Sequence, residues 1–228
     1  MFYDSTYLLV IIGAVISMIA SARVSSAFKK FSSLRNRRGM TAQDAAAVIL
    51  RNAGINDVRI ERINGNLTDH YSPNEKVLRL SDSVYGSASV AAIGVAAHEC
   101  GHAIQHNVGY GPLKLRSVSV PVANIGSKLS WPVILIGLLL GFPGLTQIGV
   151  FLFTFVVFFQ LITLPVEFNA SNRAMRILEE SGMLAEEERS GAAKVLRAAA
   201  LTYVAALFAS VLQLLRLVLL TRGNSRRR

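Results

Sequence analysis

SASVAAIGVAAHECGHAIQH, residues 87–106, decides how the rest of the chain is read. Up to Ala97 it holds nothing more polar than serine, and then two histidines and a glutamate follow within five positions. Burying an ionised carboxylate without a partner is costly, so a buried acid either neutralises or finds a counter-charge. On a helix, positions 98 and 102 project from one face about 6 Å apart along the axis. Two neutral imidazole nitrogens at that spacing can hold one Zn²⁺. Glu99 points roughly 100° away from His98, so it can stand beside the ion without ligating it. There it can act as general base to a zinc-activated water. A cation and a catalytic water thus account for polar residues inside an apolar helix. The bland alternative, a surface helix bearing two histidines, is disfavoured by flanks that are apolar on all sides.

A catalytic zinc site needs a third protein ligand. His106 lies one more turn along the same face, but three successive turns of a straight helix converge poorly on one ion. The better candidate is Glu167, which follows an apolar run at residues 145–164, where an unpaired carboxylate would be unfavourable. It is read as the start of a helix, where a dipole-favoured carboxylate is the competing explanation. Cys100 points from another side and reads as a small core residue. As a single cysteine it excludes an intrachain disulfide.

The surroundings are those of a membrane protein. Of 228 residues, 52% are hydrophobic and only 17% charged, which shifts the prior away from a soluble domain. Residues 7–22 form an uncharged apolar run followed by Arg23, Lys29, Lys30, Arg35, Arg37 and Arg38. A signal peptide has its basic residues before the apolar run, so a retained N-terminal helix with a cytoplasmic basic segment is expected. The formal charge of +10 is concentrated there and in Arg222, Arg226, Arg227 and Arg228. Basic clusters beside apolar spans mark cytoplasmic edges rather than nucleic-acid binding; no aromatic–basic interleaving of the RNA-binding kind is visible. Such a cluster can also attract anionic lipid.

Between the spans lies a small α+β unit. Thr41 and Asp44 signal a helix start and Gly54 its stop. Val58 and Ile60 alternate with charged residues, Asn64–Gly65 and Ser72–Pro73–Asn74 are turn signals, and Val77, Leu78, Arg79 and Leu80 form a last strand. That strand is expected to offer a free edge to an extended substrate. His70, beside Asp69 and Tyr71, is a candidate oxyanion donor. The expected fold is therefore a mainly α membrane protein with a zincin-like HExxH helix, this α+β unit and three or four spans. Its segments are 1–22, a transmembrane helix; 23–121, the cytoplasmic basic segment, α+β unit and HExxH helix; 122–164, a transmembrane hairpin around Gly141–Gly144; 165–197, the third-ligand helix and the start of the next; and 198–228, an apolar helix, spanning or interfacial, with a basic tail.

HECGHAIQ, the preceding YSPNEKVLRLSDSVYGSASVAAIGVAAHE and LPVEFNASNRA resemble the YugP-like family of bacterial membrane neutral zinc metallopeptidases, over nearly the whole chain. More distantly, the order of HExxH, two apolar spans and a helical Glu is similar to HtpX-type membrane zinc peptidases. In those a Glu-x-x-Ala-Asp stretch carries the third ligand. The corresponding residues here are Glu167, Ala170 and Ser171, so the ligand is retained while the Asp is absent; Asn169, Asn172 or Arg173 are the candidates for its supporting role. The resemblance implies peptide hydrolysis. The resulting expectation is a membrane-embedded endopeptidase with one Zn²⁺ on His98, His102 and Glu167, its site on the cytoplasmic side of the cell membrane. Its partners would be the bilayer and protein or peptide substrates, membrane proteins among them, with no nucleic acid; an accessory membrane protein of unknown identity is left open. The alternative is a non-proteolytic membrane zinc protein acting as a scaffold or binding module; the presence of Glu99 speaks against it, because structural zinc needs no base.

Overall fold

A computed structural model describes residues 6–225. Arg226, Arg227 and Arg228 of the expected basic tail lie outside the described residues, as do Asp4 and Ser5. In chain order the elements are α1 (Tyr7–Ser32), α2 (Ala42–Asn52), β1 (Arg59–Ile63), β2 (His70–Ser72), β3 (Val77–Ser81), α3 (Val90–Asn107), α4 (Gly111–Leu139), α5 (Pro143–Glu180) and α6 (Glu186–Ser225). The chain divides into two compact units.

One unit comprises Ala22–Lys114 and Pro165–Leu201. Local signals start its helices. Thr41 and Asp44 form a reciprocal capping box at the head of α2, which satisfies two donors that a helix start leaves open. Ser89 caps α3 by accepting from the Ala92 amide at 3.2 Å. The loop after α1 is tied to the same place: the Val90 amide donates to the Leu34 carbonyl at 2.8 Å, and the buried Asn36 amide donates to the Ala88 carbonyl at 2.6 Å. Glu188 accepts from the backbone amides of Arg37 and Ala185 at 2.8 and 2.9 Å, fastening that loop to the start of α6. The basic stretch after the first span is thus partly helix, through Lys29 and Lys30 to Ser32, and partly an ordered loop.

The core of this unit is built from Ile49 of α2, Leu78 and Leu80 of β3, Val90, Ile93, Ala96, Ala97 and Cys100 of α3, and Ala174 and Leu178 of α5. The strand order is β1-β3-β2, with β1 parallel and β2 antiparallel to β3. This corrects the expected substrate edge at Val77, Leu78, Arg79 and Leu80: β3 is the central strand, hydrogen-bonded on both sides. The reason is burial. Val77, Leu78, Leu80 and Ser81 are all buried, so both faces of β3 are covered, which suits an interior position better than a rim.

A second correction concerns Glu167, which does not begin a helix. α5 runs unbroken from Pro143 to Glu180 through Pro165. Proline removes one helical hydrogen bond and normally kinks or breaks a helix. Here Val166, Ala170, Ala174 and Leu178 follow at four-residue spacing and are all fully buried, and this packed stripe carries the helix past the proline. The dipole explanation for Glu167 disappears with the helix start.

The other unit comprises the described parts of Met1–Ser21, Leu115–Leu164 and Thr202–Arg228. Among the described residues, four helices, those beginning at Tyr7, Gly111, Pro143 and Glu186, are long and apolar enough to cross a membrane. Apolar side chains are left outward-facing in this unit, Leu139 being 85% exposed and Phe151 64%; lipid, unlike water, accepts such a surface. α4 and α5 form an antiparallel hairpin in which Gly126 approaches the Leu152 carbonyl so closely that a Cβ there would lie 2.8 Å from its oxygen. α1 and α6 also run antiparallel, with the Arg216 guanidinium 4.1 Å from the Tyr7 ring centroid.

Candidate metal centre

His98 and His102 both belong to α3, and Glu167 belongs to the part of α5 that packs on it. What lets the two helices meet is Gly101: a Cβ there would lie 2.6 Å from the Ala170 carbonyl oxygen. Any larger residue would push α3 and α5 apart. The small pair Gly101 and Ala170 therefore brings the Glu167 side chain to the histidines.

One carboxylate oxygen serves both rings. Glu167 Oε2 lies 3.3 Å from His98 Nε2 and 3.5 Å from His102 Nε2. The imidazoles stand edge to face, their centroids 4.8 Å apart. The ligating atoms of His98, His102 and Glu167 all lie within 4.8 Å of one another and form a group able to hold a metal ion. Two ligands at about 2.0–2.1 Å from a tetrahedral zinc are separated by about 3.3–3.4 Å, close to the two observed spacings. Two imidazole nitrogens and one carboxylate oxygen are also a donor set that a catalytic zinc takes. The residues present fit the ion on both counts.

The cluster is buried in low-dielectric surroundings, with Glu167 2%, Glu99 8% and His102 8% exposed. Burial by itself pushes the His102 imidazole down. The Glu167 carboxylate hydrogen-bonded to it and the nearby Glu99 charge more than offset that and raise it above its ordinary value. The site therefore attracts positive charge, whether proton or metal.

Both Nδ1 atoms are engaged as well. His98 Nδ1 lies 3.1 Å from Ser171 Oγ, and His102 Nδ1 lies 3.0 Å from Gln105 Oε1. Ser171 stands at the position where the HtpX-type resemblance implies an Asp, and its hydroxyl contacts the first histidine there. Of the candidates for the supporting role, Asn169 accepts from Gln105 Nε2 at 3.0 Å and from Arg173 Nε at 2.8 Å. Arg173 also lies over the Tyr110 ring. Asn172 is exposed on α5.

The remaining sequence candidates sit elsewhere. His70 is on β2, its Nδ1 donating to the Thr68 carbonyl at 2.9 Å. His106 pairs through Nδ1 with the Tyr71 hydroxyl at 2.9 Å, and it is not part of the metal-capable group. Cys100 is fully buried with its thiol directed at the Ala46 carbonyl; burial pushes the thiol up, as suits a core residue rather than a ligand. Sequence reasoning passed over Gln105 entirely. The available signal was a polar residue three positions after His102, on the same face of an otherwise apolar helix.

The model of the family described as "Putative neutral zinc metallopeptidase" matches residues 6–222. "Putative membrane protease YugP" of Bacillus subtilis (strain 168) is 47% identical over 205 residues, which cover 90% of this chain and 91% of that protein. No solved structure matches at a significant level.

Proposed function

The chain belongs to this family of neutral zinc metallopeptidases of the membrane, and from that premise we propose that it is a membrane-embedded endopeptidase with its site on the cytoplasmic side. His98, His102 and Glu167 hold one zinc ion, and Glu99 is the general base. The observation that carries this reading is the single Glu167 oxygen 3.3 and 3.5 Å from two imidazole nitrogens of the HExxH helix.

Zinc bound there supplies Lewis acidity, polarising the scissile carbonyl and making a water acidic near neutral pH. The protein's own groups do the rest. The Glu99 carboxylate takes a proton from the attacking water as the new C–O bond forms. It then delivers that proton to the departing amine nitrogen as the C–N bond breaks. Burial of Glu99 and Glu167 keeps bulk water from screening these charges. Because β3 is interior, the edges are β1 and β2, and β2 is the one that suits an extended peptide, since its Tyr71 reaches His106 of the helix that carries the histidines. The run of six basic residues from Arg23 to Arg38 supports a cytoplasmic placement. Because α4 and α5 form a hairpin that returns the chain, residues 23–121 and 165–197 fall on that same side whether the last helix spans or lies in the interface.

The test measures zinc per chain and cleavage of an unfolded protein substrate in detergent-purified protein. Wild type should carry about one zinc, Glu167→Ala should lose it, and Glu99→Gln should keep it while losing cleavage by at least ~100-fold. Cleavage by a metal-replete Glu99→Gln protein would overturn the base assignment. Full zinc in Glu167→Ala would remove Glu167 from the ligands, and zinc without cleavage in wild type would favour the non-proteolytic alternative.

A further inference from the structure

Gln105 lies within α3, one turn beyond His102, and is completely buried. A primary amide in such a place is unfavourable unless its hydrogen bonds are made. Its nitrogen donates to the Val166 carbonyl at 2.8 Å and to Asn169 Oδ1 at 3.0 Å, and its oxygen lies 3.0 Å from His102 Nδ1. We infer that Gln105 is a positioning residue that fixes the tautomer of His102 and pins that ring to the helix carrying Glu167. This rests on the zinc-site reading above and adds to it a residue that acts through a ligand.

The direction of each bond follows from groups that have only one role. A peptide carbonyl such as Val166 can only accept, so the amide nitrogen of Gln105 must face α5. Its oxygen is then turned toward His102. An amide oxygen can only accept, and so can the Glu167 carboxylate at Nε2; the Gln105 contact is the shorter, 3.0 Å against 3.5 Å, and places the hydrogen of the neutral ring on His102 Nδ1. A neutral His102 is left with its lone pair on Nε2, the atom 3.5 Å from Glu167 Oε2. The second amide is fixed in the same way. A guanidinium has donors only, and Arg173 Nε donates to Asn169 Oδ1 at 2.8 Å, so this oxygen also faces Gln105.

His98 differs. Its Nδ1 meets the Ser171 hydroxyl, which can donate or accept, so nothing there forces one tautomer. The two ligand histidines therefore stand in unequal settings: His102 is locked ready for metal, and His98 can adjust. Val166 also immediately precedes Glu167, so the one amide ties the second ligand to the backbone beside the third.

The experiment is nitrogen NMR of histidine-labelled, full-length, zinc-free protein in detergent, above the pH at which the imidazoles are neutral. The chain has only four histidines, and each is assigned by single substitution. His102 is expected as one Nδ1–H tautomer. In Gln105→Met, which conserves volume but offers no acceptor, His102 should become a mixture of tautomers while His98 stays unchanged, and zinc affinity should fall about 10–100-fold. A wild-type His102 protonated at Nε2 would overturn the proposal even if the variant fails to fold. So would a folded Gln105→Met protein with wild-type His102 signals and zinc affinity. The tautomer readout needs neither zinc nor turnover, so an inactive or zinc-free wild type would count against the peptidase reading alone.

Discussion

Two glycines bring neighbouring helices against the backbone of α5, and the two places serve different ends. At Gly126, α4 closes on the Leu152 carbonyl; at Gly101, α3 closes on the Ala170 carbonyl. In the first, the surrounding helices leave apolar side chains such as Phe151 outward. Without a hydrophobic drive between lipid-bathed helices, close backbone contact is itself the source of attraction. In the second, the approach gathers Glu99, His102, Gln105 and Glu167 into a buried polar cluster. Such a cluster is stable only if its members satisfy one another or share a cation. A small residue at a helix crossing is thus adhesive in one unit and chemical in the other.

The largest effect should come from removing that distinction at its root. Gly101→Ala places a methyl 2.6 Å from the Ala170 oxygen, and separating α3 from α5 by even about 1 Å should lower activity by at least ~100-fold, with loss of zinc. Gly126→Ala creates a similar clash, an overpacking cost of about 1–3 kcal/mol, but should lower the melting temperature in detergent while leaving zinc per folded chain unchanged. Equal zinc affinity in Gly101→Ala and wild type would mean that the close approach is not what assembles the site.

A second contrast is between the loaded and the metal-free centre. In the metal-free protein the Glu167 and Glu99 charges overcome burial and raise His102 above its ordinary 6.5. The resulting imidazolium–carboxylate attraction stabilises the fold fully below pH 6.5 and is lost as pH rises through the folded value. Metal binding requires the neutral ring and strengthens in the same direction. The gap in melting temperature between zinc-loaded and chelator-treated protein should therefore widen from pH 6 to pH 8. A constant gap would show that His102 carries no extra proton in the metal-free fold.

The smallest effect should distinguish the two histidines. Ser171→Ala removes one neutral hydrogen bond from His98, worth about 0.5–1.5 kcal/mol, so zinc affinity should drop by about 2–10-fold, less than for Gln105→Met. Titration against a competing chelator measures both. The reverse order would place the orienting role on Ser171 instead.

Much of this was legible from local pattern. The cap at Thr41, the turn at Asn64–Gly65 and the strands near Ile60 and Val77 are written in short stretches, because each depends on residues a few positions apart. The order of those strands was not, since a hairpin turn signal does not say which strand both neighbours will flank; burial of both faces of β3 decided that. The continuity of α5 was hidden for a similar reason. Pro165 argues locally for a break, and the stripe from Val166 to Leu178 overrides it only because α3 is there to pack against.

The sequence by itself determined that His98 and His102 share one helical face with Glu99 between them, and that apolar runs long enough for a bilayer surround them. These are consequences of the 3.6-residue period and of hydropathy, which belong to any helix regardless of its neighbours. Only the tertiary structure decided that the Glu167 carboxylate meets both imidazoles through one oxygen, and that Gln105 orients one of them while Ser171 meets the other. The contacts of Glu167 and Ser171 with the histidines, and of Gln105 with Val166, join residues more than sixty positions apart, and they exist because Gly101 lets two backbones come closer than any side chain would allow.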